Sequence, residues 1–290
     1  MKEVKERIMK FVFLLTACVS ILAVALICIF MFAKGIPAIA KIGPGEFLLG
    51  QKWKPMQNIF GILPMILGSI YVTVGAIIIG VPIAFFAAVY LAKFCKPKTY
   101  KIIKPAVELM AGIPSIVYGF FGLVVIVPLM QNLVGGIGGN GKSMLTASIL
   151  LGIMILPTVI GVAESSIRAV PDSYYEGALA LGATPERSVF TAVLPGAKSG
   201  ILAGVVLGIG RAVGETMAVI MVAGNQPLMP THGMKSLVMG VRTLTANIVM
   251  EMGYAADLHR EALIATAVVL FVLILIINMC CSALQRRDGQ

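Results

Sequence analysis

The feature that most limits how this chain can fold is a set of long apolar stretches without charge. Residues 11–33 and 55–92 contain no Asp, Glu, Lys or Arg, and about 20 apolar residues suffice for one helix to cross a bilayer. Hydrophobic residues make up 59% of the 290 positions and charged residues only 12%, roughly half the charged fraction of a soluble domain. We therefore predict an all-α polytopic membrane protein and exclude a water-soluble catalytic domain.

The apolar pattern predicts about six spanning helices. Residues 55–92 are too many for one upright span at about 1.5 Å per residue, so we expect their first part to lie along the outer surface. Pro114 and Pro128 should bend or break the third stretch, because proline removes a helix hydrogen bond. Between the last two spans, residues 224–261 fit either a loop or a re-entrant or surface helix. The predicted spans are residues 11–33, 64–92, 105–134, 143–163, 199–223 and 262–284.

The start of the chain has two interpretations. Residues 11–33 could belong to a cleaved signal peptide, with Ala38-Ile39-Ala40 as the cleavage site. Their length favours a retained helix, because an ordinary signal core has about 7–15 apolar residues. Placing both termini inside puts most of the 23 Lys and Arg residues in cytoplasmic segments, as the positive-inside rule requires. The predicted units are residues 1–60, a permease-like core at 61–284 and a cytoplasmic tail at 285–290.

One motif suggests nucleotide binding but lies in the wrong context. Residues 136–143 match the pattern GxxxxGK[ST] and end in Lys142-Ser143. A phosphate-binding loop of this kind needs a preceding buried strand and an acidic residue that holds magnesium. None of the three aspartates ends an apolar, strand-like run, and the predicted topology places the loop outside the cell. We interpret the motif as a turn between two spans.

Neither a metal site nor nucleic-acid binding is predicted. His232 and His259 are expected at the surface of the last external segment, and the net charge of +10 comes from Lys and Arg in short segments between apolar stretches, as expected of loop anchors. The cysteines have no metal-ligand spacing and are interpreted as reduced packing residues; they are Cys18, Cys28, Cys95, Cys280 and Cys281.

The polar segment 164–198 contains a candidate docking element. Residues 176–181 can form a short helix, Gly182 permits a sharp turn, and Leu194-Pro195 marks the return towards the membrane. A short exposed helix on a cytoplasmic loop can lodge in a groove of a partner protein. An ordinary solvated loop explains the spacing equally well.

This segment resembles the loop of permeases from ATP-binding-cassette importers, whose pattern is EAA, three residues, G, nine residues and IxLP. The chain has Glu176-Gly177-Ala178, then Gly182, and then Ala192 before Leu194-Pro195, so it departs from the pattern at Gly177 and Ala192. The resemblance implies that residues 176–184 dock on a separate cytoplasmic ATPase. ATP and Mg²⁺ would then bind to that partner, and this chain would bind no cofactor and catalyse no reaction.

Three further runs look like the PstC-type permease of the bacterial phosphate importer: residues 108–119, 210–217 and 241–246 with Glu251. The resemblance covers about residues 60–284 and implies a type I importer fold in the bacterial inner membrane. It also implies a second homologous permease, two ATP-binding subunits and an external phosphate-binding protein as partners. The alternatives are the sister permease, a permease for another oxyanion, and a self-contained secondary transporter or channel.

Arg211 and Glu215 are the candidate substrate-path residues. Both lie in the fifth predicted span, where a charge costs roughly 2.5–3.5 kcal/mol on insertion scales. Their i,i+4 spacing predicts an ion pair on one helix face, and the family resemblance maps its required Arg and Glu onto them. Such a pair could also fix helix register alone.

Gly200, Gly204 and Gly208 form a series that allows another helix to approach closely. Glu108, Glu164 and Arg168 are expected to anchor helices at membrane edges.

Overall fold

The computed structural model describes residues 2–134, 140–231 and 233–288. Thirteen α-helices and one two-stranded hairpin are present in these ranges. The hairpin pairs β1 (Trp53–Lys54) with β2 (Ile59–Phe60). The helices are α1 (Lys2–Ile42), α2 (Pro44–Leu49), α3 (Leu63–Val89), α4 (Pro97–Gly112), α5 (Ser115–Phe121), α6 (Val127–Val134), α7 (Met144–Ala169), α8 (Asp172–Ala180), α9 (Pro185–Ser188), α10 (Leu194–Gly214), α11 (Met217–Val222), α12 (Leu244–Glu251) and α13 (Asp257–Asp288).

Six helical segments of the described chain are long and apolar enough to cross a membrane, which confirms the predicted all-α, six-span architecture. Several extend beyond the predicted limits, because helices continue into polar sequence where the apolar pattern stops. Helix α7, for example, continues past the predicted end at residue 163. The candidate spans are Lys5–Ile42, Leu63–Phe94, Ser115–Val134, Met144–Ala169, Pro185–Gly214 and Asp257–Cys280.

Proline and a wide helical turn shape the third span. Helix α4 ends at Gly112 and α5 begins at Ser115, so the predicted break at Pro114 is confirmed and the span starts later than expected. Pro128 does not break the helix. A π-helical turn at Gly122–Ile126 lies directly before it, where the hydrogen bond lost at a proline falls.

Residues 55–62 form the turn and the second strand of a hairpin before α3. Residues 56–59 are exposed, and their place along the outer membrane surface stays a prediction. The hairpin buries Trp53 and Phe60 in a cluster with Phe47, Leu244 and Leu263. This cluster joins the end of α1, the start of α13 and α12. Residues 224–261, left open from the sequence, contain a 3-10 helix at Gly233–Val238 and the buried face of α12.

Helix α7 is the most deeply buried span and packs against α3 and α10. The glycine series on α10 makes this contact possible, as the small-residue spacing predicts. A β-carbon at Gly200 would overlap with Ser166 Oγ, and one at Gly208 would lie 2.7 Å from Val159 Cγ2. Small residues at these positions therefore set the approach of the two helices.

The start of α7 explains the last residue of the GxxxxGK[ST] match. Ser143 caps the helix, because its Oγ accepts a hydrogen bond from the backbone N–H of Thr146 at 3.2 Å. This role needs no nucleotide. Residues 136–139 of the match and His232 lie outside the described residues, as does the side chain of Cys281.

Candidate functional site

Arg211 lies in the last turn of α10 and is half-buried within the bundle. Its guanidinium Nη1 donates a hydrogen bond to Thr158 Oγ1 on α7 at 3.2 Å. Among the described residues we find no second hydrogen-bond partner and no ion-pair partner for this guanidinium. Several of its five N–H donors are therefore available to an anion.

Glu215 lies at a break in the fifth span. Helix α10 ends at Gly214, and Glu215 has an extended backbone with φ −70° and ψ 130°. Its Oε1 accepts hydrogen bonds from the backbone N–H groups of Thr216 at 3.1 Å and Ala218 at 3.2 Å. The carboxylate thus caps the first turn of α11.

The ion pair predicted between Arg211 and Glu215 is absent from the described structure. The i,i+4 argument requires helical backbone through both residues, and the helix ends between them. That geometric expectation was wrong. The role of the two residues along a substrate path stays a prediction.

Helix α12 reaches the same break. Thr245 Oγ1 donates a hydrogen bond to the backbone carbonyl of Glu215 at 3.3 Å, and it also contacts Thr243 Oγ1 at 3.1 Å. Sequence reasoning did not find Thr158 or Thr245 as neighbours of the site. Thr243 and Thr245 belong to the run 241–246 that carries the family resemblance, but a hydroxyl alone gives no indication of its partner.

The predicted docking element is an exposed helix. Helix α8 carries Glu176, Gly177 and Ala178, and it has no buried residue. Leu181, directly after it, is 92% exposed. The chain returns into the bundle earlier than the sequence predicts, because Ser188 and Val189 are already buried and Leu194-Pro195 lies within the candidate span Pro185–Gly214.

Gly182 ends α8 in a Schellman motif. Its φ is +86°, its N–H donates to the carbonyl of Leu179 at 2.9 Å, and the N–H of Ala183 donates to the carbonyl of Ala178 at 3.1 Å. These two bonds satisfy carbonyls that the helix leaves open. The predicted turn at Gly182 is confirmed.

We expect Gly182→Ala to destabilise this turn by about 1–2 kcal/mol, because a β-carbon disfavours the left-handed conformation. Gly177→Ala is the matched control, since Gly177 lies within α8 with no atom near its would-be β-carbon, and alanine favours a helix by about 0.5–1 kcal/mol. Hydrogen exchange of residues 172–188 should be faster in Gly182→Ala and unchanged or slower in Gly177→Ala. Equal exchange in both variants would contradict the assignment.

A buried carboxylate on α7 is bonded to α4. Glu164, 2% exposed, accepts hydrogen bonds from Tyr100 Oη at 3.0 Å and Lys104 Nζ at 2.8 Å, and it is bonded to Arg168 Nε. We call these four residues the Glu164 cluster. Partial burial alone would lower the pKa of Lys104, but the hydrogen bond and charge of Glu164 outweigh it and raise that pKa.

The Glu164 cluster connects three helix ends. Arg168 Nη2 donates to the carbonyl of Leu91 at 2.7 Å, and Lys93 Nζ lies 3.2 Å from Asp172 Oδ1 at the start of α8. The ends of α3, α4 and α7 are thereby tied together beside α8. Glu164 and Arg168 thus hold helices together, as the sequence suggests, although Glu164 is buried and not at an exposed edge.

A second buried carboxylate lies at the end of α12. Glu251 accepts hydrogen bonds from Trp53 Nε1 at 2.8 Å and Arg242 Nη1 at 2.6 Å, and His259 Nε2 lies 2.8 Å from it. These four residues form the Glu251 cluster. His259 was expected at the surface, and that expectation was wrong, because the ring also stacks on Phe60.

The sequence is similar to known transport permeases. Residues 80–287 match the family model of the binding-protein-dependent transport system inner membrane component. The probable ABC transporter permease protein YqgH of Bacillus subtilis is 34% identical, with 90% of this chain and 85% of that protein covered. The phosphate transport system permease protein PstC of Mesorhizobium japonicum is 35% identical, with 87% and 81% covered.

Solved structures of low sequence identity share the fold. An inward-facing MetNI methionine ABC transporter gives a TM-score of 0.63 at 19% identity, with 82% of this chain and all of that chain covered. A bacterial ABC transporter involved in the import of the polysaccharide alginate gives 0.60 at 14% identity, with 94% and 96% covered. The six-span bundle is therefore the fold of ABC importer permeases.

Proposed function

The chain belongs to the family of binding-protein-dependent transport system inner membrane components, and we propose that it is the PstC-type permease subunit of an ATP-driven phosphate importer. Relatives named as phosphate permeases from several bacteria, at 32–35% identity, support the choice of substrate. The observation in the structure that carries the proposal is Arg211. It is a half-buried cation within a spanning helix, and one hydroxyl is its side-chain partner.

Arg211 provides the chemistry that a phosphate ion needs inside a membrane. A guanidinium offers two parallel N–H groups to two oxygens of one phosphate, which gives directional and charge-assisted hydrogen bonds. Placing a charged group at this depth in the membrane costs free energy. A phosphate dianion offsets this cost while it is bound to Arg211. Thr158 fixes the guanidinium without neutralising it.

Glu215 has a different role from the one that an ion pair would give it. Its carboxylate is held by two N–H groups at the start of α11, four residues after Arg211. A negative charge there weakens the attraction of the site for phosphate and so favours release. The break at Glu215 also allows α10 and α11 to change their relative orientation, as a hinge does.

ATP hydrolysis takes place on partner subunits in this proposal. The exposed α8, with Leu181 beside it, docks on one of two cytoplasmic ATP-binding subunits. A second, homologous permease completes the path, and an external phosphate-binding protein delivers the ion. Both termini lie in the cytoplasm, so α8 is cytoplasmic and the Glu251 cluster faces outwards.

Uptake of labelled phosphate tests the substrate. Bacteria that lack this chain should take up little phosphate at micromolar concentrations, and a plasmid-borne copy should restore uptake. Restoration of sulfate or molybdate uptake instead of phosphate uptake would overturn the substrate assignment.

Purification of the tagged chain tests the class of transporter. An ATPase should co-purify with the chain, whereas transport by the chain alone in liposomes would indicate a secondary carrier.

A further inference from the structure

The Glu251 cluster connects parts of the chain that are distant in sequence. Glu251 ends α12, Trp53 is on the hairpin, His259 is on α13, and Arg242 precedes α12. Glu251 is 6% exposed, and its two oxygens have three partners. The hairpin and α12 are therefore held together by one carboxylate.

Helix α12 and Arg242, which precedes it, are bonded to the chain on both sides of α11. At one end, Thr245 Oγ1 donates to the carbonyl of Glu215 at 3.3 Å. At the other end, Arg242 Nε donates to the carbonyl of Asn225 at 2.9 Å. Helix α12 is 8 residues long, which corresponds to about 12 Å. A short rigid helix thus lies between the hairpin and the break in the fifth span.

We propose that Glu251 is a positioning residue, which fixes α12 so that movement of the Trp53 hairpin reaches the break at Glu215 through Thr245. This inference rests on the proposed function, in which an external protein contacts the end of the bundle that bears the hairpin. A contact that shifts the hairpin shifts Glu251 through the indole N–H. Helix α12 then moves Thr245 and, with it, the backbone four residues from Arg211.

A purely stabilising role for Glu251 makes a different prediction. The cluster would then affect how much complex assembles and at what temperature it melts, and it would not affect the response to the external protein. The informative measurement is a ratio: the ATP hydrolysis rate with phosphate-loaded binding protein divided by the rate without it. This ratio does not depend on how much complex is present.

The experiment uses the complete complex in nanodiscs and two mild variants. Trp53→Phe removes the N–H that bonds Glu251 and keeps an aromatic ring, and Thr245→Val removes the hydroxyl that bonds Glu215 at nearly the same size. Each should lower the ratio about threefold to tenfold, the factor that one hydrogen bond represents. Glu251→Gln should lower it more than about tenfold, because Arg242 then loses its buried charged partner.

Thr266→Val is the matched control. Thr266 is fully buried, and its hydroxyl donates to the carbonyl of Ala262 within α13, so the same chemical change leaves the connection intact and the ratio should not change. An unchanged ratio in both Trp53→Phe and Thr245→Val would overturn the inference, whatever their melting temperatures. A wild-type complex that phosphate-loaded binding protein fails to stimulate would overturn the proposed function as well.

Discussion

Replacing Arg211 by glutamine is expected to reduce phosphate uptake at least about 100-fold, because two hydrogen bonds to a charged group contribute roughly 1.5–3 kcal/mol each. Glutamine retains an N–H that can bond Thr158, so α10 should keep its place against α7. Arg211→Lys keeps the charge without the planar donor fork. Its rate of phosphate uptake should lie between the rates of the wild type and of Arg211→Gln. Initial rates of labelled phosphate uptake in complemented cells provide the measurement.

Arg260→Gln serves as the control for this substitution. Arg260 is exposed and lies outside the fifth span, so the same loss of charge should leave uptake near the wild-type rate. Membrane levels of each variant are measured beside uptake. Near-normal uptake by Arg211→Gln in an intact complex would remove Arg211 from the substrate path.

The number and type of the spans could be predicted from the sequence because each is a local property. A run of apolar residues indicates a spanning helix without knowledge of its neighbours, and the Gly200 series indicated a close helix contact in the same way. The first and last residues of the spans were predicted less accurately. Residues 164–169 are polar enough to suggest a loop, yet they continue α7, because Glu164 finds partners on α4 there.

The break at Glu215 was missed because the apolar pattern continues through it. Residues 217–223 read as the end of the fifth span, and α11 is indeed apolar. Two local structures compete at Glu215: a continued α10, and a new helix whose first N–H groups donate to the Glu215 carboxylate. The second one is formed, so α10 ends there. Neither composition nor periodicity distinguishes a continuous helix from two helices joined in this way.

The two buried carboxylate clusters could not be predicted for a different reason. Trp53 and Glu251 are 198 residues apart in sequence, and Tyr100 and Glu164 are 64 apart. A single sequence shows the residues but not which of them meet. In the sequence His259 therefore resembles a surface residue, since a histidine beside Arg260 and Glu261 is typical of a solvated helix end.

Removing the carboxylate of Glu164 is expected to destabilise the complex strongly. Glu164→Ala leaves Lys104, with 20% of its side chain exposed, without its closest charged partner, and it also removes a partner of Tyr100. Breaking a buried ion pair costs about 3–5 kcal/mol. We expect about 3 kcal/mol, the lower end of this range, because Arg168 is 44% exposed and water can solvate it. The melting temperature of the purified complex measures the loss.

Glu108→Ala is the matched control, because Glu108 also faces Lys104 but at 3.7 Å and with 65% of its side chain exposed. An exposed pair of this kind contributes less than about 1 kcal/mol. Equal destabilisation by the two substitutions would contradict the central position of Glu164. If Glu164→Ala alone lowers the melting temperature, the ends of α3, α4 and α7 form one fixed block beside α8. In the proposed docking of an ATPase at α8, the pair of Asp172 and Lys93 would connect α8 to that block.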